Sequence, residues 1–151
     1  MEKPFVLVAD DNEATCTLIT ALLQHEFSVD VATDGAEALE KLKSRQYAVI
    51  MLDLLMPMVD GYAVLDTVRI HYPELLRRTL IVTAALSSRA MERVRQYDVC
   101  GVVAKPFEVD ALLAAVRQCA GEVSGPHVRG PFLSSGVILL LGELLRSKWV
   151  P

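Results

Sequence analysis

The chain has 151 residues, 52% of them hydrophobic, enough for one domain with a packed core and a modest remainder. Its formal net charge of -4 gives no overall attraction to nucleic acid or to an anionic membrane, so direct DNA binding is not expected. Three cysteines (Cys16, Cys100, Cys119) without a Cys-x-x-Cys spacing and three unclustered histidines (His25, His71, His127) argue against a zinc site.

An odd thiol count with no signal peptide predicts a reducing cytoplasm, where Cys16 and Cys100 serve as small buried apolar groups. No segment is long and apolar enough to span a bilayer, so membrane insertion is not expected.

Along the chain, short apolar runs alternate with helical patterns. "PFVLVAD" (4–10) predicts a strand, and residues 12–25 a helix with Ala14, Leu18, Ile19 and Leu22 on one face. "FSVDVAT" (27–33) is the second strand. "DGAE" then opens a second helix with Asp34 at the N-cap and Glu37 three residues on, a capping-box pattern, with Lys41 one turn beyond Glu37. "YAVIMLD" (47–53) is the third strand, continuous enough to be buried on both sides, and Asp60-Gly61 starts the next helix, which Pro73 helps to end. "RTLIVTA" (78–84) is the fourth strand, Ser87 or Ser88 caps the fourth helix, "CGVVAKP" (100–106) is the fifth strand, and residues 107–119 repeat the helical pattern through Val109, Leu112, Leu113 and Val116.

Strand, helix, strand in this repetition predicts an α/β fold, a doubly wound five-stranded parallel sheet with right-handed crossovers and helices on both faces. The first domain then covers residues 1–120. "GEVSGPHVRGP" (121–131) reads as a Gly/Pro-rich linker, and residues 132–151 as a short apolar helix or tail. Within it, "VILLLGELL" (137–145) fits either a docking or dimerising helix or a helix packed on its own domain, with Trp149 anchoring the contact. About twenty residues are too few for a winged-helix or helix-turn-helix output domain.

In an open parallel sheet, binding groups collect beyond the carboxyl ends of the strands. Asp10 and Asp11 follow the first run, Asp53 the third, Thr83 the fourth and Lys105 the fifth. Singly, each has a plain explanation: an N-cap, a strand-end hydroxyl, a solvated lysine before a turn proline. Together, five suitable side chains from separate strand-to-helix loops predict one site. Three close carboxylates repel unless a cation offsets them, and a hard divalent ion, Mg2+ above all, suits oxygen ligands with positions left open for a phosphate. Asp53 is then the nucleophile toward phosphorus, Lys105 the neutralising ammonium and Thr83 a donor to a phosphoryl oxygen.

"ADDN", "LDLLMPMVDG", "VTA" and "AKPF", in this order and approximate spacing, resemble the receiver domain of two-component response regulators over residues 4 to about 120. The resemblance implies the flavodoxin-like (CheY-like) strand order 2-1-3-4-5. It implies that Asp53 takes a phosphoryl group from a sensor histidine kinase or phosphotransfer protein. Asp11, Asp53 and the backbone carbonyl of Leu55 would bind Mg2+, with Asp10 helping through water; Thr83 and Lys105 would hold the phosphoryl group, and Lys105-Pro106 would be a cis peptide.

The same resemblance places the output face, for a downstream effector protein, at residues 87–119, leaves homodimerisation open, and makes the chain no enzyme beyond its own phosphorylation and dephosphorylation. One position departs from the pattern: the family's aromatic residue three positions before the lysine is Val102 here. Leu55 and Ala85, where the family tunes its dephosphorylation rate, are apolar and supply no group to orient a water. Two rival functions are a pseudo-receiver that binds without phosphorylation, supported by Val102, and a haloacid-dehalogenase-type phosphatase, which would place a second Asp where Leu55 stands.

Overall fold

The computed structural model describes residues 2–121. Five strands, β1 (Phe5–Ala9), β2 (Ser28–Ala32), β3 (Val49–Leu52), β4 (Thr79–Thr83) and β5 (Gly101–Ala104), alternate with five helices, α1 (Glu13–Leu23), α2 (Gly35–Ser44), α3 (Gly61–His71), α4 (Ser88–Val94) and α5 (Val109–Cys119). All strand pairs are parallel, and the sheet order is β2-β1-β3-β4-β5, as predicted. A short 3-10 helix, Pro73–Arg78, separates α3 from β4. The predicted linker beyond Gly121 and the tail lie outside the described residues.

Every residue of β3 and β4 is buried, which is why both read as unbroken apolar runs: helices cover the sheet on two faces. α1 packs with α5, and α2 with α3, on the two sides. α4 joins α3 through Arg93, whose guanidinium sits 3.7 Å from the centre of the Tyr62 ring.

Local chemistry sets the helix starts. Asn12, not Asp10 or Asp11, caps α1, accepting from the Thr15 amide at 2.9 Å; it was the better-placed short polar residue immediately before Glu13. Asp34 caps α2 by accepting from the Glu37 amide at 2.8 Å, while Glu37 reaches back to the Thr33 amide at 3.0 Å, one residue earlier than a simple capping box would place it. Lys41 lies 3.5 Å from Glu37 as the spacing implied. Asp60 caps α3 and Ser87 caps α4.

Two helical faces differ from expectation. α1 buries Cys16, Ile19 and Leu23, whereas Leu18 is 48% exposed and Ala14 is exposed. α5 buries Leu112, Ala115, Val116 and Cys119, and Val109 is turned outward. Each inward stripe includes small residues, Cys16 in α1 and Ala115 and Cys119 in α5, beside the large ones, and a count of large apolar residues misses them.

The cysteine expectation is half corrected. Cys16 is a buried thiol, as expected, with burial, and then the negative charge of Asp10, raising its pKa to about 11. Cys100 is not a free buried thiol but is joined to Cys119 by a disulfide. Nothing in a separation of 19 residues signals that pairing; the return of α5 alongside β5 creates it.

Two glycines set the approach of the loop after β3. A Cβ on Gly61 would lie 2.4 Å from the Asp53 carbonyl oxygen, and one on Gly35 would lie 2.3 Å from that of Val59. Both amides instead donate to this loop, Gly35 to the Val59 carbonyl at 3.0 Å and Gly61 to the Leu54 carbonyl at 3.1 Å. We expect Gly61→Ala to destabilise the fold by about 1–3 kcal/mol, since backbone must shift to admit the methyl group. Gly101→Ala meets only the Leu80 Cδ1 at 3.5 Å; it should be neutral or stabilising by up to about 1 kcal/mol. Urea denaturation midpoints of the two variants check the contrast.

Candidate functional site

Parallel strands all end at the same edge, and three ladder bonds continue past the strand ends to place the side chains there. The Asp10 amide donates to the Ala32 carbonyl at 3.0 Å, the Asp53 amide to the Ala9 carbonyl at 2.9 Å, and the Lys105 amide to the Thr83 carbonyl at 3.0 Å. Asp10 and Asp53 therefore sit side by side where β1 and β3 meet, the point at which the strand order reverses. The Lys105-Pro106 peptide is cis, as expected.

All five predicted side chains converge on this edge. Asp10, Asp53 and Thr83 are buried, Lys105 is partly buried and Asp11 is exposed. Lys105 Nζ donates to Asp53 Oδ2 at 2.9 Å and to Asp10 Oδ2. Thr83 Oγ1 donates to Asp53 Oδ1 at 2.8 Å, and the Leu55 amide donates to the same oxygen at 3.1 Å. Asp10 Oδ1 accepts from the Asn12 amide at 2.9 Å. The Ala85 amide donates to Thr83 Oγ1 at 3.1 Å, which fixes the hydroxyl proton toward Asp53. The Leu55 side chain points to solvent at 60% exposure.

These contacts leave Asp53 nearly saturated. A carboxylate has about four lone-pair directions, and three are taken by the Thr83 hydroxyl, the Leu55 amide and the Lys105 ammonium. Burial acts to lower the Lys105 pKa; the hydrogen bonds it donates to Asp10 and Asp53 outweigh that, and the net direction is upward from the ordinary 10.5.

Asp10, Asp11 and Asp53 each offer an oxygen within 4.8 Å of the others. Three carboxylates against one ammonium leave a formal charge of -3 + 1 = -2. A divalent cation on hard oxygen donors fits both that charge and that donor set, and the exposed Asp11 opens the cluster to solvent. Among the described residues, no buried side-chain polar atom lacks a partner.

A family model for the response regulator receiver domain matches residues 6–117. The chain belongs to that family. The receiver is 34% identical over 115 residues to the transcriptional regulatory protein DltR of Streptococcus agalactiae, covering 74% of this chain and 50% of that one. It is 36% identical over 136 residues to the response regulator protein FleR of Pseudomonas aeruginosa, covering 87% of this chain and 28% of that one. The chain thus spans half or less of the length of these relatives.

Among solved structures, the Francisella response regulator 1452 receiver domain superposes with a TM-score of 0.69 at 29% identity, covering 80% of this chain and 98% of that one. The receiver domain of a sensor histidine kinase from Pseudomonas aeruginosa PAO1, whose structure has a magnesium ion coordinated in the active-site cleft, shares the fold with a TM-score of 0.71 at 24% identity. That match covers 79% of this chain and 98% of the other.

Sequence reading missed the amides of Asn12, Leu55 and Ala85, which orient the acids and the hydroxyl. Backbone donors leave no mark in residue type, although an Asn directly after an acidic pair is a cap signal.

Replacing Lys105 with Met in metal-free buffer leaves the acids without their cation, and we expect a loss of about 2–3 kcal/mol at pH 7, below the fully buried case because the lysine is 19% exposed. The sign of its pH dependence follows from the raised folded-state pKa. The stabilisation is full below the unfolded lysine pKa and disappears as pH climbs through the higher folded value. Urea melts of wild type and variant should therefore differ undiminished to pH 9 and converge above about 10.5; a gap that instead closes between pH 7 and 9 contradicts this pairing.

Proposed function

We propose that this receiver is the phosphoacceptor of a two-component system, with Asp53 taking a phosphoryl group from a phosphohistidine of a sensor kinase or phosphotransfer protein. The observation that carries the reading is the Asp53 carboxylate, buried at the strand end and bonded to both Lys105 and Thr83. An Asp53 oxygen attacks phosphorus, the O–P bond forms as the P–N bond breaks, and the imidazole leaves with the electron pair. The Lys105 ammonium and the Thr83 hydroxyl then exchange carboxylate oxygens for phosphoryl oxygens, where the negative charge has accumulated.

Asp11, Asp53 and the Leu55 carbonyl would hold Mg2+, with Asp10 acting through water. Bound there, the ion would neutralise charge on the transferring group. The chemistry is self-modification rather than turnover. The setting is cytoplasmic; no helix among the described residues is long and apolar enough to cross a membrane.

Output runs through residues 87–119 to an effector protein. Val102 is fully buried in β5 and brings no ring to swing, so the Thr83 hydroxyl acts through the loop it holds. Its move toward phosphate withdraws the acceptor of the Ala85 amide, and two residues later Ser87 caps α4 through the Ala90 amide at 3.1 Å. The shift is therefore delivered to the start of α4.

Incubation of the full chain with Mg2+ and acetyl phosphate should raise the intact mass by one phosphoryl group. The gain should vanish with a chelator and in Asp53→Asn. No gain in the wild type makes the chain a phosphorylation-independent binding module. Steady hydrolysis of a generic phosphomonoester would instead support a phosphatase, for which the solvent-facing Leu55 supplies no acid.

A further inference from the structure

We propose that Cys100 and Cys119 form a reversible dithiol–disulfide site that staples the last turn of α5 to the head of β5. The two Cα atoms are 5.8 Å apart, within bridging distance without backbone movement. Cys100 is pinned by its amide, which donates to the Thr79 carbonyl at 2.8 Å, and Cys119 is the final residue of α5. The site stands apart from the phosphoacceptor pocket. Cys100 precedes β5 and Lys105 follows it, so the length of β5, roughly 13 Å at about 3.3 Å per residue, separates the two.

The third cysteine cannot compete. Cys16 is 5% exposed and its Sγ donates to the Asp10 carbonyl at 3.2 Å, at the far edge of the sheet. Cys100, by contrast, is only partly buried, and its thiol is the one that reacts first.

The oxidant is a low-molecular-weight disulfide of the glutathione class. The Cys100 thiolate attacks one sulfur of the reagent, the reagent's S–S bond breaks, and one small thiol leaves while a mixed disulfide forms. The Cys119 thiolate then attacks Cys100 Sγ and releases the second small thiol. Two cysteine sulfurs are oxidised, one reagent disulfide is reduced to two thiols, and the two cysteine protons end on those thiols. Excess thiol runs the sequence backwards.

The closed ring, residues 100–119, contains β5, Lys105 and α5. Closing it restricts the unfolded chain and ties the end of α5, near the surface pair of Arg117 and Glu26, to the head of β5. Oxidation thereby stiffens part of the segment assigned above to output, whether or not Asp53 is phosphorylated.

The test equilibrates the full chain in oxidised or reduced glutathione, then alkylates it in denaturant and reads the mass. We expect one alkylated cysteine after oxidised glutathione and three after excess reduced glutathione, with a thermal midpoint lower on reduction by on the order of 10 °C. Cys100→Ala should show two alkylated cysteines and one midpoint in both buffers, and Asp53→Asn should give the wild-type alkylation counts in both buffers, with a midpoint of its own that still falls on reduction. Three alkylated cysteines after oxidised glutathione overturn the site. A bridge that survives excess reduced glutathione overturns its reversibility, and equal midpoints with the bridge made and broken overturn the staple.

Discussion

One ammonium between two buried carboxylates organises this molecule. Lys105 bonds Asp10 and Asp53, residues that follow β1 and β3, from a position that follows β5. Two acids at adjacent strand ends would repel in a poorly solvated pocket, and the lysine that offsets them comes from the opposite side of the sheet across β4. The contact therefore depends on the whole β1-β3-β4-β5 order being correct. Thr83, at the end of the intervening strand, completes the arrangement by donating to the same Asp53 carboxylate.

The surrounding fold supplies what such a site needs. Ladder bonds continue one residue past the strand ends and fix three of the side chains at their Cα atoms. Glycines at 35 and 61 let the loop after Asp53 lie against two helix starts, and side-chain caps from Asp34 and Asp60 each satisfy an amide there. The backbone of this edge is consequently held by hydrogen bonds on several sides while its formal charge remains two units negative, an arrangement that suits a divalent cation.

Much of this was legible in the residues. Alternating apolar runs placed all five strands to within two residues, since a sheet covered on both faces permits almost no polar residue in its central strands. The acids, the threonine and the lysine were legible because each interrupts or ends such a run. Helix faces were less legible: Leu18 looked inward by size and is outward by packing, while Ala115, which no apolar count singled out, is buried. The disulfide and the amide donors could not be read at all, one because it joins residues brought together only by the return of α5, the others because every residue has the same amide.

The two ends of β5 thus carry separate groups, the Lys105–Asp53 pocket, proposed above as the phosphoacceptor, at its carboxyl end and a sulfur pair at its amino end. Both bear on α5. The Lys105–Asp53 contact is central to the pocket, and it can be isolated. A double-mutant cycle with Lys105→Met and Asp53→Asn, measured by urea denaturation in metal-free buffer, should return a coupling of about 1–3 kcal/mol favouring the native pair. Additivity to within about 0.5 kcal/mol would mean that the ammonium does not hold that carboxylate, and the pocket as described here would not exist.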